Sequence, residues 1–545
     1  MSRVPRAVTW RPLDVVPVAG LCAAGVAFRA PGLTAADAWF DDAWAALPAH
    51  VPFGTALHMV VTAPLYGLAL RSWIQLGPHA TWWGQLPAFA LGVVGIVAVY
   101  ALIRGLGLPR LGAFAAGLAI AVGPVTVAYS TRLKEYPSDL VFACLVLWLA
   151  ERWRREPSRR ATLALAAAGV VSLWVSASTA AVVGGAAAVV VVSCIGRPAL
   201  VREAGLLVGA LAAGTIGVWA AFLRLVPSQL RTNWRTHGYL FGYSDVHHVL
   251  YEFQQTFSGL THGLLGVPIP WTSSSSALRA VPMIFAVASF VGIVALVAVP
   301  VRAAVRTRFL DVGVGFAAAV TVALAILGTF VGVAPLGDGR TDEAFYPALL
   351  VLLVVAATLL ATAATSPERV TRRVRFGVAA AMGLVSVLFG AAHVAEYPPT
   401  GLSTVVAELR THLLPGDVVV LDGYESFTWA DEDLGAWHVS FRQGSVPWPM
   451  GFHVVSDNPT YVLSDEYLQP DRQIEDLSLR THRLWYLGPT VGGYSNQAPT
   501  DLWSFPDSTP IYDELVALGW QPVGGVCCSA PGAYAVLFLY RPTAP

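Results

Sequence analysis

The feature that most constrains this chain is a succession of apolar stretches, each close to the roughly 20 residues that cross about 30 Å of hydrocarbon, separated by short charged segments. About eleven such spans can be marked off, at 14–29, 84–103, 111–128, 138–150, 161–174, 179–195, 205–226, 281–302, 311–331, 344–363 and 375–393. The run from Ala161 to Ile195 carries no charge and exceeds one helix. It divides at Val175-Ser176-Ala177-Ser178, with re-entrant geometry as the alternative. Composition agrees: 55% of the 545 residues are hydrophobic and 12% charged, against about 25% charged in an ordinary soluble domain. A soluble protein is excluded. The 34 basic and 34 acidic residues cancel, so there is no global basic field of the kind nucleic-acid binding exploits.

Arginine placement gives an orientation. Arg3, Arg6 and Arg11 precede the first span, Arg104 and Arg110 follow the second, and Arg152, Arg154, Arg155, Arg159 and Arg160 follow the fourth. The same parity continues at Arg197 and Arg202, at Arg302, Arg306 and Arg308, and at Arg369, Arg372, Arg373 and Arg375. The positive-inside rule makes these loops and the N-terminus cytoplasmic. An odd number of spans then puts the C-terminal segment outside. The first apolar stretch also has signal-peptide character, with small residues at Ala23 and Ala24; the polytopic pattern that continues from it favours a retained helix. Cys22, Cys144 and Cys194 lie in apolar runs, and Cys527 adjoins Cys528, so no disulfide framework is expected.

The outward loops are longer or more polar than connectors need to be, which marks them for function. The first, near 30–83, opens with Asp37, Asp41 and Asp42 interleaved with Trp39, Phe40 and Trp44. Two readings stand: an acidic loop with an aromatic interfacial anchor, or adjacent carboxylates whose repulsion raises one pKa into the range of a general base. The second, 129–139, carries Arg132, Lys134 and Tyr136 at the outer membrane level, suited either to a lipid phosphate or to headgroup snorkelling. Lys134 is the sole lysine of the chain. The third, near 227–280, holds Arg231, Arg235, His237, His247 and His248 without metal-ligand spacing, and no metal is assigned. A fourth carries Arg340, set either for phosphate or for a salt bridge with Asp338 or Asp342.

From about residue 396 the composition becomes that of a soluble domain. A helix is expected over 402–414, stopped by Pro415-Gly416, then strands at 417–421, 483–487 and 534–540 with a helix at 511–518: an α/β layer. No GxGxxG, Walker A or GxSxG pattern supports nucleotide or hydrolase chemistry there. The expected organisation is a transmembrane domain over 1–395 and an extracytoplasmic α/β domain over 396–545. That domain is read as an acceptor-recognition element or lid.

An N-in polytopic chain with the aromatic-flanked pair Trp39-Phe40-Asp41-Asp42-Ala43-Trp44 in its first outer loop resembles the GT-C superfamily of integral-membrane glycosyltransferases. Within it, the chain is most similar to the protein-O-mannosyltransferase and aminoarabinose-transferase branch, family 39-like and of actinobacterial type. Residues 129–139, the stretch from Gly339 to Pro347, and the turn Leu414-Pro415-Gly416-Asp417-Val418-Val419 are similar to segments of that branch. The resemblance implies transfer of a sugar from a polyprenyl-phosphate donor to an acceptor hydroxyl on the outer membrane face, usually with inversion, with the lipid-linked sugar as donor substrate and no assigned cofactor. It implies Asp41 as base with Asp42 orienting, although Asp-Asp where relatives carry Asp-Glu leaves the assignment between the two open. Arg132, Lys134 and Arg340 would bind the donor phosphate, assisted by Tyr136; Asp37, Arg231, Arg235 and His237 are further substrate-binding candidates. The competing readings are a ligase or polymerase of lipid-linked oligosaccharides, a transporter, and a scaffold with an outer partner-binding domain. A transporter would need intramembrane charges, which the spans are expected almost entirely to lack.

Overall fold

A computed structural model describes residues 12–35, 42, 45–50, 52–60, 63–78, 80–194, 197–223, 315–330, 341–363, 402–422, 439–443, 452–456, 461–464, 481–489, 515–527 and 533–540. In chain order the helices are α1 (Pro12–Ala35), α2 (Phe53–Met59), α3 (Pro64–Gln75), α4 (Thr81–Gly105), α5 (Arg110–Val122), α6 (Pro124–Tyr129), α7 (Tyr136–Arg155), α8 (Arg159–Val175), α9 (Ala180–Ser193), α10 (Val201–Ala221), α11 (Phe316–Phe330), α12 (Tyr346–Ala363) and α13 (Leu402–His412). Two compact units divide the chain: Met1–Ala30, Thr62–Tyr66 and Pro87–Ala395 form one, and Pro31–Val61, Gly67–Leu86 and Glu396–Pro545 the other.

The first unit is a polytopic α-helical bundle. Among the described residues, Asp14–Leu33, Thr81–Gly105 and Pro198–Ala221 are long and apolar enough to cross a membrane, and shorter apolar helices cover Arg110–Val122, Ala177–Ser193, Phe316–Thr329 and Tyr346–Thr358. Val15, Val16, Leu163, Val201, Ile216, Trp219 and Leu327 are large, apolar and exposed, a surface suited to hydrocarbon rather than water. The expected spans at 281–302 and 375–393 lie outside the described residues.

Two details depart from the run-by-run reading. The stretch 111–128 is not one helix but α5 and α6, broken at Gly123-Pro124; proline has no N–H to donate and its ring clashes with the carbonyl four residues back. The first loop starts later than expected, because α1 continues to Ala35, and the segment beyond contains α2 and α3. The charge-free run 161–195 divides where its serines fall. There α8 ends at Val175, and Ser176 Oγ accepts the N–H of Ser178 to begin a 3-10 turn over Ala177–Thr179.

Packing in the bundle uses small residues to bring backbones close. On α9, a Cβ placed on Gly185 would lie 2.3 Å from Thr321 Oγ1 and 2.6 Å from the Ala317 carbonyl of α11. At the arginine-rich end, Asp14 of α1 accepts from Tyr100 Oη at 2.9 Å and Arg110 Nε at 3.0 Å. Glu151 of α7 pairs with Arg154 and Arg155, and Arg155 donates to the carbonyls of Gly105 and Leu106 where α4 ends. These contacts satisfy helix-end carbonyls that would otherwise be orphaned.

The second unit contains an α/β layer. Its strands are β1 (Val418–Asp422), β2 (Val439–Gln443), β3 (Phe452–Ser456), β4 (Tyr461–Ser464), β5 (Arg483–Pro489), β6 (Trp520–Cys527) and β7 (Ala533–Tyr540). The five-stranded sheet has the order β4-β1-β5-β7-β6, with β1 parallel to β4 and β5 and with β7 antiparallel to β5 and β6. Strands β2 and β3 form a separate antiparallel pair. Helix α13 packs on β6 and β7. It ends at a turn in which Gly416 adopts φ +90°, a conformation that costs glycine little. Asp417 then accepts from Leu414 N–H and Trp485 Nε1 and forms a 2.9 Å ion pair with Arg483, fixing the α13–β1 turn to β5. Residues 515–517 are helical, within the helix expected over 511–518.

Candidate functional site

Helix α6 stops at Tyr129 and α7 starts at Tyr136, leaving residues 130–135 as one tight turn. The turn is built from its own polar groups. Thr131 Oγ1 donates to the Ala128 carbonyl at 2.9 Å, and the Glu135 carbonyl accepts the N–H groups of Ser138 at 2.8 Å and Asp139 at 3.2 Å. Pro137 sits in the first turn of α7, where its missing N–H costs nothing. Arg132 and Lys134 are half-buried on this turn. Tyr136 is buried, and its ring meets Tyr129 edge-on at 5.0 Å. Three of the residues expected to bind phosphate therefore share one short, internally braced segment at the end of the bundle away from the arginine-rich loops.

Asp42 lies in the second unit and is itself helical and fully buried. Asp37, Asp41, Arg231, Arg235, His237 and Arg340 fall outside the described residues.

The turn has buried neighbours that the sequence reading gave no role. Asp139, in the first turn of α7, is inaccessible; its Oδ2 accepts from Ser176 Oγ at 3.0 Å, while its Oδ1 has no hydrogen-bond partner among the described residues. Glu343, in the 3-10 turn Thr341–Ala344 beside α7, is 1% exposed, and neither of its carboxylate oxygens has such a partner. Burial pushes the Glu343 carboxyl up to about 8; Arg29 opposes that rise and Asp342 adds to it. Arg29 of α1 is fully buried. The expectation of spans nearly free of charge is thus corrected. Asp14, Arg29 and Asp139 are all buried within helices; hydrogen bonds and ion pairs satisfy Asp14 and Arg29, and Ser176 satisfies one oxygen of Asp139. An isolated charge inside an apolar run was the legible signal.

This end of the bundle can hold an anion. Two cations and a phenol suit a phosphate. Among the described residues no three His, Cys, Asp or Glu side chains gather to hold a metal ion.

No protein-family model matches the chain, and no curated protein matches it either. Solved structures do. Cupriavidus metallidurans ArnT bound to undecaprenyl phosphate is similar at 13% identity and TM-score 0.48, over 96% of this chain and 97% of that one. Archaeoglobus fulgidus oligosaccharyltransferase, tethered to an acceptor peptide, is similar at 9% identity and TM-score 0.44, over 96% of this chain and 74% of that one. Both neighbours are GT-C membrane glycosyltransferases. At such low identity and with TM-scores below 0.5, a role for any residue of this chain rests on its own chemistry.

Proposed function

We propose that the chain is a GT-C-type membrane glycosyltransferase, which moves a sugar from a polyprenyl-phosphate donor to an acceptor hydroxyl on the outer face of the membrane. The observation that carries the reading is the gathering of Arg132, Lys134 and Tyr136 on the turn 130–135 and the start of α7. The positive-inside pattern assigns that end of the bundle to the outside. Arg340, in the loop before α12, joins this set in the proposed site.

The chemistry follows from the residue types. A carboxylate of the Asp41-Asp42 pair takes the proton of the acceptor hydroxyl. The acceptor oxygen then bonds to the anomeric carbon, and the bond from that carbon to the donor phosphate oxygen breaks. The electron pair leaves with polyprenyl phosphate, and Arg132 and Lys134 stabilise the charge that builds there. Asp37, Arg231, Arg235 and His237 serve substrate binding, and residues 396–545 form the outer domain that recognises acceptor.

Membranes containing the full chain, supplied with a labelled lipid-linked sugar, test this. Wild type should transfer label, and Asp41→Asn should lose roughly two or more orders of magnitude of rate, the scale of a general base. Full transfer by both Asp41→Asn and Asp42→Asn would remove the pair from the mechanism.

A further inference from the structure

Arg29 uses every donor it has. Its Nε donates to Ser130 Oγ at 2.9 Å, its Nη1 to the carbonyls of Gly25 at 3.1 Å and Ala121 at 2.7 Å, and its Nη2 to the carbonyls of Ile120 at 2.8 Å and Thr126 at 3.2 Å. A guanidinium has five N–H groups, so none is left for a ligand. Ile120 and Ala121 lie in the last turn of α5; Pro124 has no N–H to give the Ile120 carbonyl, which accepts from Thr126 Oγ1 at 2.8 Å as well as from Arg29. Arg29 thus replaces the missing helix bonds across the α5–α6 break. A cation at a helix C-terminus also meets the negative end of the helix dipole there.

The fifth bond does something different. Ser130 is the first residue of the turn that carries Arg132 and Lys134, and its hydroxyl both accepts from Arg29 and donates to the Thr126 carbonyl. The contact is enclosed from a third helix. A Cβ on Gly92 of α4 would lie 2.1 Å from Ser130 Oγ and 3.2 Å from Arg29 Nε. All five acceptors are neutral, so no carboxylate is hydrogen-bonded to the guanidinium. Desolvating a cation this fully is costly. A helix clasp alone needs only the four carbonyl bonds; the bond to the turn is the part they do not explain.

We infer that Arg29 is a positioning residue: through Ser130, and with Gly92 leaving room for the contact, it fixes the turn that aims Arg132 and Lys134 at the donor phosphate, without touching the donor itself. The donor's identity rests on the function proposed above; the clamp geometry does not.

The test uses the purified full-length protein in lipid nanodiscs, with undecaprenyl phosphate as the probe. Affinity and thermal midpoint are measured on the same samples. Wild type should bind, and Lys134→Ala should bind weakly. Ser130→Ala, on the turn, and Gly92→Ala, on α4, disturb the contact from two other positions without changing a charge. Each should weaken binding about three- to tenfold, the worth of one hydrogen bond; the midpoint falls as well, because Arg29 Nε loses its acceptor or the added carbon crowds Ser130, so binding is compared at a temperature where every variant is folded. Arg29→Lys, which keeps the charge and loses the fork, should weaken it at least as much. Combining Arg29→Lys with Ser130→Ala should add little, because both break one link. If wild type binds, Lys134→Ala does not, and Ser130→Ala and Gly92→Ala bind like wild type, the positioning role is overturned while the proposed function stands. If wild type and Lys134→Ala bind equally, or neither binds, the donor-phosphate reading itself fails.

Discussion

Glu343 shows how a single residue near this site should report itself. Its carboxyl is pushed from 4.5 to about 8, first by burial, with Arg29 lowering it and Asp342 raising it; Asp139 of α7 also lies within its electrostatic reach. A folded pKa above the unfolded one means that the protonated form is favoured on folding. The stability this contributes is fully present below about pH 4.5 and is lost as pH rises through about 8. Thermal midpoints of wild type and Glu343→Gln, taken across that interval, should therefore converge at its acid end and separate at its alkaline end, wild type falling lower. Parallel curves would show that Glu343 is ionised throughout. Lys134 carries a second prediction at this scale: Lys134→Ala should raise the KM for lipid-linked donor by about tenfold or more, with a smaller change for acceptor, since a charge-assisted phosphate contact is worth about 1.5–3 kcal/mol. Lys134 was legible because it is alone of its kind. Asp139 and Glu343 were less so, since nothing in their neighbouring letters tells that both carboxyls are sealed from water.

At the scale of elements, the breaks carry as much meaning as the helices. Gly123-Pro124 interrupts an apolar run, and the interruption lets the chain turn toward the segment that holds Arg132 and Lys134. Hydropathy alone reads straight through it, because both halves are equally apolar; proline's missing donor is the local clue. The contact of α9 with α11 depends instead on a small residue. Gly185→Val should lower the thermal midpoint by several degrees or more, because the added side chain meets the Ala317 backbone 2.6 Å from its first carbon and backbone cannot rotate away. Gly205→Ala, where nothing lies within 4 Å, is the control and should be neutral or slightly stabilising. Similar losses at both positions would mean that the close approach of α9 to α11 does not set the effect. In the second unit, the sequence placed β1, β5 and β7 from their apolar runs, whereas β2, β3, β4 and β6 went unread. Those strands are short or interrupted by Pro522, Gly524 and Gly525, and pairing across the sheet forms them despite weak local preference.

For the whole molecule, the arginine pattern makes a prediction about sides. A reporter that is active only outside the cytoplasm, fused after residue 545, should be active, and the same reporter inserted near Arg155 or Arg197 should be silent. The reverse pattern would invert the proposed topology and place residues 130–135 on the wrong face for a lipid-linked donor. The sequence by itself determined that the chain is a polytopic membrane protein with a polar α/β segment after residue 395. Apolar run length and arginine parity are one-dimensional properties, and the hydrophobic cost of misplacing them is paid locally, residue by residue. Only the tertiary structure decided that Arg29 reaches Ile120, Ala121, Thr126 and Ser130, about a hundred residues away. A buried guanidinium is tolerable only where acceptors from several helices converge on its fork, and that convergence exists in no stretch of sequence, only in the packed bundle.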